Sequence, residues 1–181
     1  MWRQRPPCDR VRGDMVDNPR LQHFDYATQN TSYFVTVRFK APMKESVCEN
    51  LFTKMLSVFD ESDYICDALV VMPDHLHIVT TKATENSSRL SDLMCMLKSK
   101  TLYFLKKEDI VVGTFWQRGY YDHIIRNEAD WIEKIHYIIG NPIRAGLTVD
   151  SESYQHLYCR FIDFGATQGR PLRGSEVSSD K

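Results

Sequence analysis

The chain has 181 residues, 43% of them hydrophobic and 26% charged, which is enough apolar material for one globular domain with its own core and leaves little room for a second. The formal net charge is -1, so the overall balance does not mark a strongly basic, nonspecific nucleic-acid binder. No run of about 18 apolar residues occurs, and the start Met1-Trp2-Arg3-Gln4-Arg5-Pro6-Pro7 lacks the apolar stretch of a secretory signal, so a cytoplasmic location and no membrane association are expected.

Residues 1–30 read as a basic N-terminal arm, with Arg3, Arg5, Arg10, Arg12 and Arg20 crowded into it. The domain is expected over residues 31–164, and residues 165–181, which lack apolar periodicity, read as a mobile tail. Tyr33-Phe34-Val35-Thr36-Val37-Arg38-Phe39 is rich in aromatic and branched residues and predicts the first strand. After Pro42, the positions Val47, Leu51, Met55, Val58 and Phe59 recur at helical spacing. Ile65 to Met72 predicts a mostly buried strand, Pro73-Asp74 a tight turn, and His75 to Thr80 the returning strand of a central hairpin. Asn86-Ser87-Ser88 offers a cap for a second helix, with Leu90, Leu93, Met94, Leu97, Thr101, Phe104 and Leu105 as its buried stripe and its lysines facing away. Gly119 to Arg126 predicts a further strand, and Asn127 caps a third helix from about Glu128 to Gly140, which Pro142 interrupts.

The order β, α, β, β, α, β, α predicts an α+β fold, a ferredoxin-like (RRM-like) split βαβ sandwich. Its antiparallel sheet is expected to carry helices on one face, with Tyr137 on the C-terminal helix. The cysteines Cys8, Cys48, Cys66, Cys95 and Cys159 are odd in number and widely spaced with no CxxC pair, which argues for reduced structural thiols over a disulfide framework or zinc ribbon.

Two motifs carry chemistry. Residues two apart on a strand share a face, so His75 and His77 project together, opposite Leu76 and Ile78, and can hold a divalent metal. On the third helix, Trp131, Ile132, Ile135, Ile138 and Ile139 cluster on one side, and Lys134, Tyr137 and Asn141 cluster on the other. A tyrosine hydroxyl can attack a phosphodiester, and an amide oxygen four residues later lies where it can serve as a third ligand. A mixed nitrogen and oxygen donor set with no thiolate suits Mg²⁺ or Mn²⁺ better than structural zinc. Lys134 is placed to favour the phenolate or hold a neighbouring phosphate. Arg118, Arg126, Lys98 and Lys100 are candidate DNA contacts, and aromatics interleaved with the arginines of Trp116 to Arg126 can stack bases.

Val70-Val71-Met72-Pro73-Asp74-His75-Leu76-His77-Ile78-Val79, Phe115-Trp116-Gln117-Arg118-Gly119-Tyr120-Tyr121-Asp122-His123 and Ile135-His136-Tyr137-Ile138-Ile139-Gly140-Asn141-Pro142-Ile143-Arg144-Ala145-Gly146-Leu147 resemble the REP-associated tyrosine transposases, within the single-tyrosine HUH transposase superfamily. Tyr33-Phe34-Val35-Thr36 fits the same pattern, and Arg20-Leu21-Gln22-His23-Phe24-Asp25-Tyr26 is a looser match to the family's opening segment. The resemblance implies a metal-dependent transesterase that cleaves and rejoins single-stranded DNA near a palindromic repeat hairpin through a 5′-phosphotyrosine link. It implies the HUH pair at His75 and His77, the nucleophile at Tyr137 and the third ligand at Asn141. It leaves a monomer and a homodimer with exchanged tyrosine helices both open. Two other readings are a non-catalytic RRM-like nucleic-acid binding module and a metal-dependent hydrolase that uses water.

Overall fold

The computed structural model describes residues 30–84 and 88–162. In chain order the elements are β1 (Ser32–Arg38), α1 (Glu45–Phe59), β2 (Tyr64–Val71), β3 (His75–Lys82), α2 (Leu90–Lys107), β4 (Tyr121–Ile125), α3 (Glu128–Arg144) and β5 (Leu157–Cys159). The strands form one five-stranded antiparallel sheet in the order β4-β1-β3-β2-β5. The first six elements give β-α-β-β-α-β with β1 and β3 side by side, which is the split βαβ arrangement that the sequence pattern predicts. β5 is the one strand the periodicity does not reveal, because three residues are too few to show alternation. The expectations that fall on residues 1–29, 85–87 and 163–181, including the arm, the opening segment, Asn86 and Ser87 of the α2 cap, and the tail, lie outside the described residues.

The sheet is apolar on both faces. Val35, Val37, Leu69, Val71, Leu76 and Ile78 meet the buried stripes of α1 and α2 in the larger core cluster. Phe34, Ala68, Val70, Met72 and Val79 point the other way and pack against Ile135 and Ile138 of α3. The expectation of helices on one face therefore holds for the two crossover helices, and α3 is the exception. A strand such as β2, buried at seven of its eight positions, needs cover on both sides, and α3 supplies the second cover. The face carrying the histidines is consequently half roofed rather than open.

Two local details also depart from the sequence reading. α2 begins after Arg89, whose backbone N–H donates to the Asp92 carboxylate at 2.9 Å, so a residue inside the helix holds the first turn. Pro142 does not end α3; it sits in the last turn, where its missing N–H costs one intrahelical bond, to the Ile138 carbonyl, and the helix continues to Arg144. The helix stops at Gly146 instead, whose φ of +68° suits a residue without Cβ, with Leu147 N–H donating to Pro142 O at 3.0 Å and Gly146 N–H to Ile143 O at 2.9 Å. Cys48, Cys66 and Cys159 are buried free thiols, as expected. Among the described residues no helix is long and apolar enough to cross a membrane.

Candidate active site

The hairpin between β2 and β3 places both histidines at the start of the central strand. Met72 N–H donates to His75 O at 2.8 Å across Pro73-Asp74, closing a two-residue turn. Strand alternation then sends His75 and His77 to the α3 side while Leu76 and Ile78 enter the larger core. Their ring centroids lie 4.7 Å apart at an interplanar angle of 74°.

Each ring has one nitrogen engaged. His77 Nδ1 is 2.8 Å from Thr36 Oγ1, its cross-strand partner on β1, and His75 Nδ1 is 2.7 Å from Asp74 Oδ1. A carboxylate on one ring nitrogen fixes the ring and the tautomer, and a hydroxyl, which can donate or accept, fixes the ring's orientation; each leaves the other nitrogen free to ligate. His77 Nε2 is buried and has no hydrogen-bond partner among the described residues. A buried imidazole nitrogen without a hydrogen-bond partner is suited to ligating a cation. Burial, reinforced by the neighbouring charges of His75 and Arg144, pushes the His77 pKa down to about 3, so the ring is neutral near pH 7, the form that binds metal. Burial opposes ionisation of Asp74, but the hydrogen bond and charge of His75 hold its carboxyl below the usual range.

Tyr137 comes to this pair from α3. Its ring centroid is 5.2 Å from that of His77 and 5.7 Å from that of Phe34, edge to face in both cases, and the residue keeps 42% of its surface exposed. Phe34 in turn stacks on His77 at 5.2 Å, so the rings of Phe34, His77 and Tyr137 are in mutual contact. Asn141, one turn beyond Tyr137, is buried. His75, His77, Tyr137 and Asn141 thus lie on the same side of the sheet, and these four offer nitrogen and oxygen donors with no sulfur among them, a set that fits Mg²⁺ or Mn²⁺. Among the described residues there is no cluster of three or more His, Cys, Asp or Glu side chains that could hold a metal ion.

The basic candidates are scattered. Lys134 Nζ is 2.7 Å from Glu133 and 3.6 Å from Asp130, and Asp130 also holds His123 at 2.9 Å, so the lysine is drawn toward the start of α3. The cation beside Tyr137 is Arg144, whose guanidinium lies 4.5 Å from the ring centroid and donates to the Tyr137 carbonyl oxygen. Lys98 and Lys100 lie on α2, on the opposite face of the sheet from His77. Lys98 does not face away: its ammonium donates to the backbone oxygens of Gln117 and Gly119, and burial pushes its pKa down to about 8. Lys100 pairs with Glu61 at 2.6 Å. Arg118 and Arg126 are exposed at the two ends of β4. The contacts that sequence reasoning missed, Thr36 and Arg144, had weak signals: one is a β1 residue distant in sequence, and the other lies two turns beyond Tyr137 on its own helix face.

The sequence model of the IS200-like transposases matches residues 31–140, a span that includes both histidines and Tyr137. An uncharacterised Haemophilus influenzae protein is 24% identical over 159 residues, covering 68% of this chain and 86% of that protein. A REP-associated tyrosine transposase of Escherichia coli is 23% identical over 124 residues, covering 67% of this chain and 72% of the relative. The same fold is found in a REP-associated tyrosine transposase solved in complex with a REP hairpin, with a TM-score of 0.63 at 19% identity over 75% of this chain and 81% of that one. The family model alone spans well over half of the sequence, and on that ground the chain belongs to the IS200-like transposase family of DNA-processing enzymes.

Proposed function

We propose that this protein is a metal-dependent single-strand DNA endonuclease and transesterase that cleaves and rejoins DNA beside palindromic repeat hairpins, with Tyr137 as nucleophile. The observation that carries this reading is the buried, partnerless Nε2 of His77 lying beside the ring of a half-exposed tyrosine. His75, His77 and Asn141 would hold Mg²⁺ or Mn²⁺, and a bound ion would supply Lewis-acid polarisation of the scissile phosphate. Thr36 and Asp74 orient the two imidazoles through Nδ1.

The Tyr137 hydroxyl loses its proton and attacks phosphorus, forming a new oxygen–phosphorus bond. The bond from phosphorus to the 3′ oxygen breaks, and a proton joins that oxygen to give a free 3′-hydroxyl. The 5′ phosphate remains on the tyrosine, where the ester's energy is kept for rejoining with a DNA hydroxyl and no nucleotide cofactor is consumed. A hairpin substrate is suggested by the structural neighbour, which holds a REP hairpin. Among the basic residues, Arg118 and Arg126 are the ones we assign to DNA phosphates, because they are exposed just before and just after β4, the strand next to β1.

The test is incubation with Mn²⁺ or Mg²⁺ and labelled single-stranded oligonucleotides that carry the repeat hairpins flanking the protein's own gene, followed by a denaturing gel. A labelled covalent adduct that needs metal and disappears in Tyr137→Phe supports the reading. Cleavage that survives in the variant would establish a water-using hydrolase instead, and hairpin binding with no cleavage would establish a binding module.

A further inference from the structure

Gly140 sits in the interior of α3, three residues past Tyr137, where a glycine weakens a helix relative to alanine. Its backbone is not in the left-handed region, so no turn requires it. Its surroundings give the reason. A Cβ built at residue 140 would come within 2.7 Å of Arg144 Nη1 and 3.6 Å of its Cζ. Long side chains on a helix lean toward its N-terminus, so Arg144 folds back over the turn that contains Gly140. There its guanidinium covers the Tyr137 ring at 4.5 Å and donates to the Tyr137 carbonyl oxygen. The root of Arg144 is itself fixed, because it is the last residue of α3 and the Gly146 cap closes the turn that follows.

The same ring also meets Phe34 and His77, edge to face, at centroid separations of 5.7 and 5.2 Å. Tyr137 thus touches side chains of β1 and β3 as well as the cation, although 42% of it stays exposed.

We propose that Gly140 and Arg144 are positioning residues for Tyr137: the missing Cβ at 140 lets the Arg144 guanidinium lie along α3 and hold the tyrosine ring in the orientation from which its hydroxyl reaches the phosphate. The proposal rests on the reading of Tyr137 as nucleophile. Gly140→Ala is the informative perturbation, since alanine strengthens a helix interior while displacing only the flexible end of one side chain. A merely structural glycine or arginine would not couple the two positions through the reaction rate.

The experiment uses the full chain, Mn²⁺ and a labelled single-stranded oligonucleotide carrying the hairpin that flanks its gene. It compares the parent, Gly140→Ala, Arg144→Ala, Arg144→Lys, the Gly140→Ala/Arg144→Ala double variant and Tyr137→Phe. The rate constant of adduct formation at saturating DNA, the DNA dissociation constant in EDTA and the melting temperature are measured for each. Gly140→Ala is expected to slow adduct formation by about tenfold or more, the scale of a nucleophile displaced by a fraction of an ångström to an ångström. Its DNA affinity should be unchanged and its melting temperature equal or higher. Arg144→Lys should retain more rate than Arg144→Ala, and the double variant should be no slower than Arg144→Ala, because with the guanidinium gone the added Cβ meets nothing. Parental rates in Gly140→Ala, or additive losses in the double variant, would overturn the proposal while abolition by Tyr137→Phe left the nucleophile in place. An adduct that persists in Tyr137→Phe would overturn the nucleophile and the positioning device together.

Discussion

Acid should unfold this protein through His77, and the size of the effect follows from its surroundings. The ring is buried at 5% exposure and its pKa is pushed down to about 3, from 6.5 for the ordinary group, chiefly by burial. Between those two values the unfolded chain binds a proton that the folded chain refuses. Stability is therefore fully present above pH 6.5, falls as the pH drops through that value, and keeps falling toward pH 3. From pH 7.5 to pH 5 the loss from this one group is about 2 kcal/mol, which for a domain of this size moves a urea midpoint by about 1 M. His156 is depressed by burial as well, partly opposed by Glu45 and Glu49, and adds loss in the same direction. Asp74 and Asp130, held low, contribute only as the pH falls into the carboxylate range, so the window from 7.5 to 5 belongs mainly to the histidines. Urea unfolding in EDTA at the two pH values, for the parent, His77→Gln and His156→Gln, reads the effect directly. A His77→Gln variant with the same acid loss as the parent would refute the reasoning.

Other consequences are equally concrete. Thr36→Val removes the hydroxyl on His77 Nδ1 at nearly constant volume, and Mn²⁺ affinity measured by calorimetry should fall about 10- to 100-fold, as for other residues that orient a ligating imidazole. Lys98→Met strips the donor from two backbone oxygens ahead of β4 and should lower stability by about 1–3 kcal/mol in urea melts while leaving DNA affinity unchanged, since the ammonium is already engaged. Arg118→Ala and Arg126→Ala should each weaken hairpin binding and reduce the slope of log affinity against log salt by about 1, the signature of one lost phosphate contact.

How much of this was legible in the sequence differs from residue to residue. His75 and His77 could be placed on one face because strand alternation is a fixed period of two, and Asn141 could be placed beside Tyr137 because four residues make one helical turn. The helical period also identified Ile135 and Ile138 as buried, but it cannot say what buries them; an amphipathic stripe fits either face of a sheet. That α3 lies over the histidines depended on the second apolar face formed by Phe34, Ala68, Val70 and Val79, residues from three strands that only the strand order unites. Thr36 reaches His77 through the β1–β3 register, a long-range pairing with no local signal. Lys98 looked like a solvated charge on a helix and is instead a clamp on the segment before β4, because charge and spacing alone do not report what a long side chain reaches. Pro142 suggested an early helix end, yet within a last turn the loss of one N–H is mild and the left-handed Gly146 does the stopping.

The central claim is that Tyr137 becomes covalently joined to DNA, and peptide mass spectrometry of the nuclease-trimmed adduct tests it most directly. The account predicts a peptide containing Tyr137 that carries a 5′-linked nucleotide phosphate, formed only with Mg²⁺ or Mn²⁺ present. Cleaved DNA with free 5′ phosphates and every tyrosine-containing peptide unmodified would contradict it.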